Sequence, residues 1–239
     1  MQIDPKELAA VSAAAAPRFD MYTPIHKAIR ALMADTLTAV GRMDVTDDLE
    51  FAEVTERVMQ LLDFCRSHLS HENEFIHTAM EARAPGTSGH IADEHVEHQQ
   101  HIAELAVSVA GLRACEPFMR PALAQSLYRE LALFIAGNFE HMHFEETVHN
   151  TVLWTRYTDA QLLGVHGALV SSLPPAELMF SMRWLVAFLS PPVRAGLVGG
   201  MRANMPAPAF EAVIELVRPH LARREWEKLA RDVGIEAGW

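Results

Sequence analysis

The chain has 239 residues, half of them apolar, and a formal net charge of −11. That length suits one large or two small domains with a substantial core. The acidic balance argues against nucleic acid or an anionic membrane surface as a partner.

Ala, Leu, Met and Glu are plentiful and aromatics few, so an all-α fold is expected. Cys65 and Cys115 are too few for a disulfide framework, which predicts a reduced, cytoplasmic setting. The N-terminus shows no apolar signal segment. The most apolar run, Leu178 to Leu189, is too short for a bilayer and contains Arg183, so it reads as a buried helix.

In chain order, residues 1–20 read as an N-terminal arm, with Ala13 to Ala16 running into Pro17. Thr23-Pro24 reads as an N-cap followed by proline in the first turn. The helix it opens runs to about Gly41 with an apolar stripe of Ile29, Met33, Leu37 and Val40; His26 lies on that stripe. A lone core histidine is more often a hydrogen-bonded structural residue than a ligand.

Asp47 with Glu50 resembles a capping box for a second helix reaching about Ala82. Its stripe is Val54, Val58, Leu61, Cys65, His68, Glu72, Ile76 and Ala79. His68 and Glu72 interrupt this apolar face. A buried carboxylate without a partner is costly, so Glu72 requires a metal or a basic side chain. His71 and His77 fall beside the stripe, as surface or supporting residues. Cys65 reads as a small buried apolar residue.

Ala84 to Gly89 is a linker. The third helix places Ile91, His95, His98, Ile102, Leu105, Val109 and Leu112 at helical spacing. His95 and His98 are its ligand candidates, with Glu94 and His101 in reserve. A fourth helix, from about Pro121 into the 150s, carries Leu127, Leu131, Phe134, Asn138, His141, Glu145 and Val148 on one stripe. His143 points away from it and Glu146 lies at its edge.

Two helices thus repeat His-x-x-x-Glu. That spacing stacks an imidazole and a carboxylate on one face, one turn apart, as a metal half-site. Ten of the thirteen histidines fall between His68 and His149. Chance clustering of solvated histidines would not put five of them on core-facing stripes. The short linkers predict an up-down-up-down four-helix bundle over residues 21–155.

Residues 156–239 have a different texture. Pro174-Pro175, Pro191-Pro192 and Pro206 to Pro208 break the chain where helices would start. Helices are expected at 159–171, 175–189, 192–203, 208–217 and 220–233, the first capped by Thr158 with Gln161. Met179, Phe180, Met182, Trp184 and Phe188 read as core, or as a homodimer face or partner groove, Gly199-Gly200 as a bend, and the basic segment 218–231 as a solvated face.

The ordered set His26, His68-x-x-x-Glu72, His95/His98 and His141-x-x-x-Glu145 resembles the hemerythrin-like, or HHE cation-binding, family over residues 20–155. The resemblance implies a four-helix bundle around a non-haem di-iron centre. His26, His68, His95 or His98, and His141 would be ligands, and Glu72 and Glu145 the bridging carboxylates. The third helix has His-x-x-His where oxygen carriers have His-x-x-x-His, which places the chain nearer the broader bacterial group.

Such a donor set suits iron, oxo- or hydroxo-bridged, and also manganese or zinc. Iron with one open position would bind or sense O2, peroxide or NO. Two other functions fit the same residues. One is a di-iron enzyme of oxidative or nitrosative stress or of iron-centre repair, for which no acid, base or substrate pocket is identifiable. The other is a metal-independent helical interaction module.

Overall fold

The computed structural model describes residues 5–236. Every regular element among them is helical. In order these are α1 (Pro5–Ser12), α2 (Thr23–Arg42), α3 (Asp48–His71), α4 (Thr78–Arg83), α5 (Gly89–Ala114), α6 (Arg120–Phe144), α7 (Asn150–Arg156), α8 (Asp159–Ser172), α9 (Pro175–Phe188), α10 (Pro191–Asn204), α11 (Ala207–Val217) and α12 (Arg223–Val233). The π-helical turn Glu72–His77 joins α3 to α4, and a second, Glu145–His149, joins α6 to α7, so each pair is one long rod. These rods, α2 and α5 form the expected bundle.

Local chemistry sets the ends. Asp47 caps α3 by accepting from the amides of Leu49 and Glu50 at 2.9 and 3.1 Å. The amide of Asp47 goes to the carbonyl of Asp44, so Glu50 does not complete the box. At α2 the cap is Asp20 rather than Thr23: its Oδ1 accepts from the amides of Tyr22 and Thr23 and from Asn150 Nδ2. One carboxylate thereby ties the start of α2 to α7. Near the other end of α2, Gly41 admits the Tyr128 ring of α6; a Cβ there would lie 3.0 Å from it.

The chain divides into two compact units, one of residues up to Thr23 with Leu32–Ser172, the other of Pro24–Ala31 with the chain from Leu173. In the first, α8 packs beneath the bundle. Met21, Tyr22, Ile76, Met80, Leu153, Tyr157 and Leu162 form one buried cluster. Thr158 and Gln161 make the reciprocal cap of α8. Arg18 binds Asp159 Oδ1 at 2.7 Å and the carbonyls of Trp154 and Tyr157, closing the C-terminal end of α7.

In the second unit, proline stands in the first turn of α9, α10 and α11, where its missing amide costs no helical hydrogen bond. The core is conventional, built on Met182, Val186, Val198, Phe210, Val213, Val217 and Trp226. Phe188, expected in it, is 51% exposed and stacks on Trp184. No bend occurs at Gly199-Gly200, because α10 runs unbroken to Asn204. Buried Arg194 donates to the carbonyls of Ala187 and Leu189. Gly234, at φ +71°, closes α12 in the left-handed conformation that glycine tolerates best.

A candidate metal centre

Four side chains meet in the bundle interior: Glu72 from the α3–α4 rod, His95 from α5, and His141 and Glu145 from the α6–α7 rod. Each offers a ligand atom within 4.8 Å of the others. All four are almost wholly buried, Glu145 at 0% exposure. His95 Nε2 lies 3.6 Å from Glu72 Oε2 and 3.7 Å from Glu145 Oε1, and His141 Nε2 lies 3.4 Å from Glu145 Oε2. The π turns begin at the two glutamates, whose amides each reach two carbonyls of the preceding turn. Such bulges commonly mark functional positions in helices.

The outer nitrogens of the two imidazoles are both engaged. His95 Nδ1 is 2.8 Å from Asn73 Oδ1, and His141 Nδ1 is 2.8 Å from Glu94 Oε2. An amide oxygen and a carboxylate can only accept, so the protons sit on Nδ1 and each Nε2 keeps its lone pair. Yet the two Nε2 atoms are 3.1 Å apart. Two lone pairs facing each other between carboxylates repel unless a cation stands among them.

Burial argues against that cation being a proton on His95. Desolvation pushes this imidazole down to about 3, against the pull of Glu72. The close His95–glutamate approaches are therefore not ion pairs at neutral pH. Desolvation, then the neighbouring Glu72, pushes the Glu145 carboxyl well above its ordinary range. A neutral His95 beside a Glu145 carboxyl that strains against ionising, with His141 and Glu72 next to them, forms a donor set matched to a metal ion. Asn73 and Glu94 stand where the outer partners of metal-binding histidines fix ring orientation.

The other expected ligands distribute around this set. His68 Nε2 is 3.1 Å from Glu72 Oε1, and His26, His68 and Glu72 form a second group within 4.8 Å. His98 does not join the central four. It groups with Glu94 and His141, and its Nδ1 lies 3.4 Å from Asn138 Nδ2. Of the two candidates on α5, the inner is thus His95. The reserve Glu94 supports His141, and His101 is exposed.

Two histidines here were not expected. His77 is 5% exposed and His149 fully buried, and with Glu145 they make a further group within 4.8 Å. Five residues beyond Glu72, His77 would lie about 140° off the stripe in an α-helix. The π turn, with its i→i+5 pairing, brings it back. The second π turn buries His149 and leaves Val148, the expected stripe residue, 42% exposed. His149 carried a signal, since it continues the four-residue steps of His141 and Glu145.

Beside the site, a cavity of about 420 Å³ is lined by Glu94, Glu97, His98, Glu140 and His141 among others, and reaches the outer side of His141.

A buried imidazole–carboxylate cluster in a four-helix bundle defines a class of metal-binding proteins. The sequence matches the hemerythrin HHE cation binding domain over residues 19–151. That is more than half of the chain, and the chain belongs to this family. Neither the curated proteins nor the solved structures compared with it give a match.

Proposed function

We propose that this protein is a non-haem di-iron protein that binds or senses a small ligand, O2, peroxide or NO. The observation that carries the reading is the approach of the His95 and His141 Nε2 atoms to 3.1 Å in a buried interior, flanked by Glu72 and Glu145. His95 and His141, with Glu145, would hold one iron and His26 and His68 the other, Glu72 being common to both groups of ligands. Iron bound in this way supplies a redox-active centre with a coordination position for a small ligand.

The chain's own residues do the rest. Asn73 and Glu94 keep the imidazoles in the ligating tautomer. Ile91, Ile102, Leu131 and Phe134, all buried on α5 and α6, keep bulk water from the cluster. The cavity along Glu94, His98 and His141 offers a route for small solutes. Cys65, pushed up to about 12 by burial, is an unreactive thiol and no competitor for the metal.

No helix among the described residues is long and apolar enough to cross a membrane. A cytoplasmic location belongs to the same proposal.

The test is metal analysis by mass spectrometry with optical spectra of the oxidised protein before and after O2, peroxide or NO. Two irons per chain and a spectrum that answers to one of these ligands are expected. A chain that takes up zinc alone, with no spectral response, overturns the reading. Steady turnover of peroxide or NO that is lost in Glu72→Ala would make the protein an enzyme.

A further inference from the structure

The ligand-competent groups do not end with the central four and their His26–His68 neighbours. His77, Glu145 and His149 converge beyond Glu145, all from the two rods, each rod having been re-registered by its π turn. The Nε2 atoms of His77 and His149 are buried and have no hydrogen-bond partner. The two rings meet edge to face at 5.4 Å, and His77 stacks on His95 at 4.9 Å. At the far side of His149, the Tyr22 hydroxyl lies 3.2 Å from Nδ1, with Tyr22 itself fully buried.

When that hydroxyl oxygen accepts from Nδ1–H, the Nε2 lone pair of His149 is aimed at Glu145. This repeats what Asn73 does for His95. A purely structural histidine has no need of such an arrangement, because its second nitrogen would then lack a partner in an apolar interior.

We infer that the bundle has a third cation position, held by His77, Glu145 and His149 and oriented by Tyr22. Its two imidazoles and one carboxylate suit a divalent first-row transition metal. It is distinct from the first two positions for a geometric reason. Donors about 2.0–2.2 Å from one ion stand no more than about 4.4 Å apart. Among the described residues, no group within 4.8 Å joins His77 or His149 to His26, His68, His95 or His141. Glu72 and Glu145 therefore link three positions in a row: His26 with His68, His95 with His141, and His77 with His149. Sharing Glu145, the third position rests on the reading of the central set as a metal centre.

Titration of the metal-free full-length protein with Co2+, followed by visible absorption and native mass spectrometry, tests this. Three equivalents are expected. The double variant His77→Gln, His149→Gln is expected to lose one equivalent and keep two. Tyr22→Phe, which keeps the ring and removes the hydroxyl, is expected to weaken the third equivalent by on the order of tenfold and leave the other two unchanged. It serves as the readout if the double variant does not fold. A wild-type limit of two equivalents, or a third equivalent indifferent to these changes, overturns the third position and leaves the central pair standing. A wild-type chain that takes up no Co2+ overturns both.

Discussion

The bundle and the C-terminal helices fill their interiors in opposite ways. From α9 to α12 the buried volume is Val, Leu, Met, Phe and Trp, and the buried guanidinium of Arg194 finds two backbone carbonyls. Among the described residues no cluster of ligand-bearing side chains lies in this core, and its polar atoms without a partner are single ones, Trp184 Nε1, Arg194 Nε and Trp226 Nε1. In the bundle, apolar layers above and below enclose eight buried imidazoles and carboxylates, His26, Glu72, His77, His95, His98, His141, Glu145 and His149. Here the Nε2 atoms of His95 and His141 stand 3.1 Å apart beside Glu72 and Glu145. One chain thus uses the same helical stripes for two ends: one stripe closes a core, the other gathers imidazole and carboxylate donors that could hold a cation.

The largest expected effect tests the self-sufficient half. Trp226, 2% exposed at the centre of the C-terminal core, should cost about 3–5 kcal/mol on replacement by Ala. Denaturant unfolding of the full chain would show the loss, with the metal-to-chain ratio unchanged. Loss of metal in Trp226→Ala would break the comparison.

Stripping the metal comes next. With free metal at about 100 times its dissociation constant, binding adds roughly 2.7 kcal/mol of stability. Chelation should remove it and raise amide exchange in α3, α5 and α6, while α9 to α12 keep their protection. Equal deprotection in both halves would refute the contrast.

The smallest effect sharpens it. Glu94→Ala removes the acceptor of His141 Nδ1 and should weaken metal binding about 10–100-fold. Because Glu94 is partly exposed, thermal stability of the metal-free protein should scarcely change. A large loss there would make Glu94 a structural residue.

Much of this was legible in one dimension. The all-helical fold follows from composition, and the expected starts of α9 to α11 fall within one residue of the observed ones, because proline can enter only a first turn. The burial of Ile91, His95, His98, Ile102, Leu105, Val109 and Leu112 on α5 matches its spacing one for one. The two His-x-x-x-Glu pairs and their convergence were equally readable, since a four-residue step on an α-helix admits one geometry.

What escaped was whatever depended on the helix not being ideal, or on another element supplying the partner. His77 reaches the interior only through a π turn, and no local propensity announces one. That His95 rather than His98 joins the central four rests on packing between helices, which sets Asn73 of the α3–α4 rod against His95 Nδ1 and Asn138 of α6 beside His98. The cap of α2 came from Asp20, and Arg18 found its carbonyls 136 and 139 residues away. The kind of donors, their helices and the faces that carry them can be read along the chain, because these are matters of period. Tertiary structure alone decided which nitrogen meets which oxygen, because ring orientation and a shifted register are set by packing between helices.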